Sequence, residues 1–261
     1  MKHLKKKYVL HLKVDQDIRK VIDNAPEHKE EVDRIMSSNL EGYYGITITE
    51  NNDLVQTFKF EENGNVFMIP EPDPVVIYFD SARHYFNQIA GQREKVFENT
   101  TMFASHVSAT TGDFYWYFSL ASSYAIFLYT SIEAFINKMI PNDYVYQRSV
   151  QDKRTELFNK SQVQRHLEFS EKLLKVLPEI TGKNFVIDHT HKYEQIKNLK
   201  KFRDEIAHTK SYDSTQGPNR YENLYSTSLG FEYEKTLIYV KDFINYYQQN
   251  LIEICECGQD Y

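Results

Sequence analysis

Between Phe114 and Ile132 the chain carries no charged residue. A helix of that length would cross a bilayer or the full width of a small domain. Because such a helix is apolar on nearly every side, it has to be covered on every side, by lipid or by other helices. The residues within it favour helices. Ser119, Ser122, Ser123, Thr130, Ser131 and several tyrosines interrupt the run, Glu133 follows at once, and no second such segment occurs. The stretch reads as the central helix of a soluble bundle, with no membrane. Composition supports a core of that size: 41% of the 261 residues are hydrophobic. With 20 Tyr and 17 Phe, that core has to find hydrogen-bond partners for buried phenol groups.

The organisation on either side of this helix follows from its breakers. Glu27 to Met36 has helical charge spacing. Tyr44–Thr49 alternates in the manner of a strand, Asn51-Asn52-Asp53 is a turn signal, Leu54–Phe60 is a second strand, and Val66–Ile69 follows a Glu62-Asn63-Gly64-Asn65 turn. These segments predict a short antiparallel meander in a small α+β region over 1–72. Pro70, Pro72 and Pro74 then oppose helix and ladder alike and mark a boundary. From there the pattern predicts helices over 76–108, 113–140, 150–177, 190–208 and 231–254, with Pro141 and Pro178 stopping the second and third. Tyr193, Ile196, Leu199, Phe202 and Ile206 form one apolar stripe. Leu237, Val240, Ile244, Tyr247, Leu251 and Ile254 form another. Short loops between such helices make an antiparallel bundle over 73–261.

Charge and cysteine usage narrow the function classes. The formal net charge of −6 argues against a general nucleic-acid coat protein and leaves room for a local basic site. The two cysteines, Cys255 and Cys257, are too few for a zinc cage, and a disulfide across one residue is strained. They read as incidental thiols in a reducing cytoplasm. The start, with Lys5, Lys6 and Lys7, resembles the charged front of a signal peptide. The apolar run from Tyr8 to Leu12 is too short for secretion, so the lysines read as a solvated end. Asp188-His189-Thr190-His191 offers two imidazoles but no third ligand at suitable spacing, and Asp188 reads as a helix cap. No phosphate loop, dinucleotide fingerprint or nucleophile elbow is present. No cofactor and no metal is implied.

The chemistry concentrates in Phe202-Arg203-Asp204-Glu205-Ile206-Ala207-His208. Arginine supplies a fixed cation, and histidine can move a proton near neutral pH. On a regular helix five positions amount to about 140° of rotation and about 7.5 Å of rise. The two side chains therefore converge only if the helix ends at His208 or if they reach around a groove. RNA self-cleavage needs a base, a charge-balancing cation and an acid. One such pair is too small for all three roles, and two pairs facing across a two-fold axis would suffice. From Lys192 to Lys210 six Lys/Arg stand against three acids, a local excess of positive charge in an acidic chain. Lys200, Lys201 and Lys210 could contact phosphate, and Tyr193 or Tyr212 could stack a base. The plainer alternative is also open: Arg203 could pair with a neighbouring acid, and His208 could simply end the helix. Glu133, placed in an apolar helix, is either a partner for Arg203 across the bundle or a partly exposed residue.

Residues 113–254 resemble the HEPN superfamily, the all-helical domains of prokaryotic toxins, phage-defence systems and CRISPR-associated nucleases. The likeness rests on Ser131-Ile132-Glu133-Ala134-Phe135-Ile136-Asn137, on the Arg203-x4-His208 motif with Asp204 after the arginine, and on one further long helix beyond it. The resemblance implies a homodimer with Arg203 and His208 in a shared cleft and metal-independent endoribonuclease activity on RNA. Many members of the superfamily have lost catalysis and serve as RNA-binding or interaction modules. The expectations are a cytoplasmic dimer of toxin or defence type in which Arg203 holds phosphate, His208 transfers protons, Asp204 orients the site and Glu133 supports it. A regulatory partner protein would be in keeping with such a role.

Overall fold

The structure, a computed structural model, describes residues 3–9, 11–13, 44–48, 53–100, 107–150, 154–209 and 221–257. The helix expected over 27–36 lies outside them. The chain is mainly helical. Four strands form the N-terminal sheet: β1 (His11–Lys13), β2 (Tyr44–Ile48), β3 (Asp53–Glu62) and β4 (Asn65–Pro70). β3 pairs antiparallel with each of the other three. β2 pairs with residues 54–58 of β3, overlapping both β1 at 53–55 and β4 at 57–62. A residue has only two edges, so β1 and β4 share one edge of β3 and β2 takes the other. The expected meander is present. Its β3–β4 turn uses Asn63 and Gly64, both at positive φ (51° and 79°), where Asn and Gly cost least. Phe60, Val66, Phe67 and Met68 of this hairpin are exposed.

α1 (Pro74–Asn99) starts where the proline cluster ends. Pro74 stands in its first turn, where a missing N–H costs nothing, and Asp73 caps it by accepting from Val75 N at 2.9 Å. The long apolar stretch lies within α2 (Val107–Met139). Ser131 of α2 donates to Val75 O at 3.0 Å and Lys138 reaches Asp73 at 2.6 Å, while Gln92 and Asn99 late in α1 both bond Asp113 early in α2. Early α1 therefore meets late α2, and the pair is antiparallel. α2 is long and apolar enough to cross a membrane, yet Tyr117, Leu120, Tyr124, Leu128, Ile132 and Phe135 are all buried in the protein core. It is the central helix of the bundle.

The segment expected as one helix over 150–177 is different. It opens with a hairpin of β5 (Val145–Val150) and β6 (Arg154–Asn159). β5, nearly all of which precedes that segment, alternates Tyr146 and Arg148 with Val145 and Gln147, a period of two, and its pairing holds β6 extended where a helix was expected. Three short helical pieces follow: α3 (Lys160–His166), α4 (Phe169–Glu171) and, after a π turn over Lys172–Val176, α5 (Leu177–Thr181). Pro178 does not stop a helix; it stands in the first turn of α5. Having no N–H to give Leu174 O, it is preceded by a turn wound one residue wider. Gly182, at φ 67°, ends α5. Ile140, Tyr146, Val163, Leu167 and Val176 make a small separate core under the hairpin.

After α6 (Phe185–Asp188), α7 (Thr190–Ala207) buries the predicted stripe of Tyr193, Ile196, Leu199 and Phe202. A helix that sequence reading passed over, α8 (Glu222–Gly230), precedes α9 (Tyr233–Tyr247). α9 ends short of 254: Leu251 is buried beyond its end, and Ile254 instead pairs with Leu4 near the N-terminus. Lys192–Asp242 and Gln195–Thr236 bonds run α7 antiparallel to α9. Asp188 is not the cap of α7, whose N-cap is His189; Asp188 accepts a bond from Tyr246. The expected partners for core phenols are found. Tyr117 and Tyr233 both donate to Ser228 O (2.6 and 2.7 Å), and Tyr124 donates to Tyr233 O at 2.6 Å.

Candidate functional site

α7 places the Arg203–His208 motif because its apolar stripe is committed to the core, which turns Lys200, Arg203 and Asp204 toward a cleft. A regular helix would send Arg203 and His208 to different faces. The helix ends at Ala207, and His208 leaves it with φ −121° and ψ 42°. Its N–H still donates to Asp204 O at 2.9 Å, so the residue remains tied to the last turn while its side chain departs from the helical course. Arg203 and His208 line one cavity of about 470 Å³.

The guanidinium of Arg203 lies over the ring of Tyr129, 3.9 Å from its centroid. Its Nη1 stands 3.1 Å from Asp204 and its Nη2 3.5 Å from Glu133. Nε is buried and has no partner among the described residues. The arginine is thus held flat on an aromatic plate between two carboxylates, with its side chain 22% exposed to the cavity. Arg203 pairs with acids, as the plainer alternative had it, and Glu133 meets both of its alternatives, reaching Arg203 from α2 while partly exposed. Glu133 is itself half exposed, so the ion pair stands at the mouth of the cleft rather than in the core.

Asp204 joins the parts. One carboxylate oxygen meets Arg203, the other accepts from Lys200 Nζ at 2.6 Å, and its carbonyl accepts the His208 N–H. Lys200 and Asp204 are four residues apart and share a helix face. Lys201 does not line this cavity; it stands 3.9 Å from Glu205 with a mostly exposed side chain. Lys210 and Tyr212 lie outside the described residues.

The wall opposite α7 was not legible in the sequence. It is built by α3, α4 and the π turn, which the β5–β6 hairpin supports: Tyr146 and Arg148 both bond Glu171, at 2.9 and 3.2 Å. This wall brings Arg165, Glu168 and Lys172 to the cavity. Lys172 is half buried and donates to Gln164 O at 2.7 Å. Burial pushes its pKa down, against the opposing pull of Glu133 and Glu168. No motif marks Lys172. Its position depends on the π turn, and Pro178 six residues later is the only sequence trace of that.

A second cavity of about 620 Å³ adjoins the first and shares Glu168, Phe169, Lys200, Asp204 and His208 with it. Its remaining wall is more apolar and aromatic, with Tyr193, Tyr221 and Leu224, and it is edged by Lys197 and Lys201. His208, Lys200 and Asp204 therefore stand between a charged chamber and an aromatic one. Such a pair of chambers can hold an anion beside a planar ring, with an imidazole at the junction. No family model matches the chain, and comparison with curated proteins and with solved structures returns no match either.

Proposed function

We propose that the protein is an endoribonuclease of HEPN type that acts as a dimer and cuts RNA without a metal. One observation carries the reading: the helix ends at Ala207, and this lets His208 and Arg203 line the same cavity. Arg203 binds a phosphate oxygen, its flat guanidinium already oriented by Tyr129. Asp204 fixes the arginine and the start of the His208 segment together. His208 transfers the proton, taking it from the 2′-hydroxyl or giving it to the leaving 5′-oxygen. The partner protomer supplies the complementary proton step across the two-fold axis. Lys200 and Lys172 add positive charge where charge develops on the phosphate. The product is a 2′,3′-cyclic phosphate. A cytoplasmic toxin or phage-defence role, under a regulatory partner, is the setting in which such an activity makes sense.

A second reading has its own observation. Arg203 is already paired with Glu133 and Asp204, and two acids that hold the cation also compete with phosphate for it. On that reading the protein is a catalytically silent HEPN-like dimerisation or RNA-binding module. Labelled RNA incubated in EDTA with the wild type, Arg203→Ala and His208→Ala separates the two. Cleavage by the wild type that disappears in both variants supports the enzyme. Bound but uncut RNA in all three supports the module. Absence of salt-dependent RNA binding removes the enzyme and the RNA-binding module and leaves only a dimerisation role. Sedimentation of the same samples measures the dimer.

A further inference from the structure

The two ends of the described chain meet far from the cleft in sequence and in role. Leu4 pairs with Ile254 in an antiparallel bridge, Lys5 N donates to Glu253 O at 2.8 Å, and Cys255 N donates to His3 O at 2.7 Å. Leu4 is also buried in the main core, which anchors the pairing to the bundle. The register set by that bridge puts His3 directly opposite Cys255. Side chains of an opposed antiparallel pair stand on the same face of the ribbon, and so does the residue two positions along. His3, Cys255 and Cys257 accordingly share one face, and their ligand atoms lie within 4.8 Å of one another.

We propose that His3, Cys255 and Cys257 form a binding site for a thiophilic metal ion, Zn²⁺ in the first instance. The donor set is two thiolates and one imidazole, soft to borderline ligands that select Zn²⁺ over Mg²⁺ or Ca²⁺. Bond lengths of about 2.3 Å to sulfur and about 2.0 Å to nitrogen put the two atoms about 3.5 Å apart on a tetrahedral centre. Cys257 Sγ stands 3.6 Å from His3 Nε2. The same sulfur is 3.9 Å from His3 Nδ1, so the pairing of the chain ends sets the sulfur and the imidazole at about the required separation, and a turn of the ring aims one nitrogen at a shared ion. Two thiolates balance the charge of a divalent ion. Because Cys257 is exposed, the fourth position opens to solvent, where a water completes the shell. A bound ion would clip the segment around Leu4 to the tail around Ile254 and stabilise every part of the fold that their separation would loosen. The inference does not depend on the ribonuclease reading.

The test is a titration of the full chain, purified without a histidine tag, reduced and stripped of metal. Zn²⁺ is added against a chromophoric chelator, and Co²⁺ is added separately as a spectroscopic probe. One equivalent of Zn²⁺ is expected, with thiolate-to-cobalt charge-transfer bands and strong tetrahedral d–d bands. His3→Gln, Cys255→Ser and Cys257→Ser should each weaken binding at least tenfold. His3→Gln keeps both thiols, so a wild-type affinity and spectrum in that variant would mean adventitious thiol binding and overturn the site. The absence of stoichiometric binding by the reduced wild type would overturn it as well. Circular dichroism of each variant guards against loss of fold; if Cys257→Ser is unfolded, His3→Gln alone decides.

Discussion

Two polar clusters in this protein use similar groups to opposite ends. Between α2 and the α8–α9 junction, Tyr117, Tyr124, Tyr233 and Ser228 are all buried, and each phenol has a short bond to a backbone carbonyl. Burial drives the Tyr124 hydroxyl well above its ordinary pKa, so it stays a neutral donor. About one and a half turns further along the same helix, Tyr129 carries the Arg203 guanidinium on its face. There the cation, Glu133, Asp204, Lys172 and Lys200 surround a cavity. The first cluster is closed: every strong donor meets an acceptor and nothing is left to bind. The second is over-supplied with charge and leaves the Arg203 Nε without a partner among the described residues. Polar groups satisfied inside a core hold the fold in one arrangement. Polar groups gathered around open volume keep their capacity for a ligand.

That contrast can be broken by experiment. The largest effect is expected from Arg203→Ala, which should lower RNA cleavage by about 10²–10³-fold while the unfolding free energy falls by no more than about 1 kcal/mol. Parallel losses in activity and stability would show that the arginine belongs to the structural class instead. Tyr124→Phe should do the reverse. Removing the buried donor takes one bond from the Tyr233 carbonyl, which as the first residue of α9 keeps its bond within the helix, and should cost about 0.5–1.5 kcal/mol in urea unfolding, with cleavage per folded molecule unchanged. Glu133→Gln sharpens the comparison further. With one competitor for Arg203 neutralised, RNA should bind more tightly by up to about fivefold, measured by filter binding at fixed salt, since a half-exposed pair is worth about 1 kcal/mol or less. A weaker complex would make Glu133 a necessary support for the arginine rather than its rival.

The smallest effect lies in the pairing of the chain ends and has a definite sign with pH. The Lys5 hydrogen bond lowers the Glu253 pKa from its ordinary 4.5, and the same bond raises that of Lys5 from 10.5. For the glutamate, the folded pKa is the lower one, so its contribution is present above about pH 4.5 and disappears as pH falls through the native value. For the lysine the folded pKa is the higher one, so its contribution is present below about pH 10.5 and disappears as pH rises through the native value. Amide exchange of Lys5 and Cys255, followed by NMR after correction for intrinsic pH dependence, should show most protection between those limits and less protection in acid. Protection unchanged below pH 4 would mean that the backbone bonds hold the ends without the ion pair.

Much of this molecule follows from local pattern. The uncharged run from Phe114 to Ile132 demands a central helix, because an all-apolar cylinder is stable in water only when other elements surround it. Alternation around Asn63-Gly64 specifies the meander, and the stripe from Tyr193 to Phe202 specifies which face of α7 is buried. The Arg203–His208 motif and its link to Glu133 were legible as candidates for the same reason, as residue types at a fixed spacing. What the chain alone left open are the features made by distant pieces. The helix expected over 150–177 misled because charged and apolar residues there suit a helix on propensity, while the β5–β6 pairing and its small core require an extended hairpin. Lys172 reaches the cleft only through that hairpin and the π turn, and His3 reaches Cys255 and Cys257 only because the two ends pair. Helix periodicity and capping depend on neighbours a few residues away, so the sequence by itself determined them. Cavities, buried charges and meetings of chain ends depend on surfaces brought together across the whole chain, and only the tertiary structure decided those.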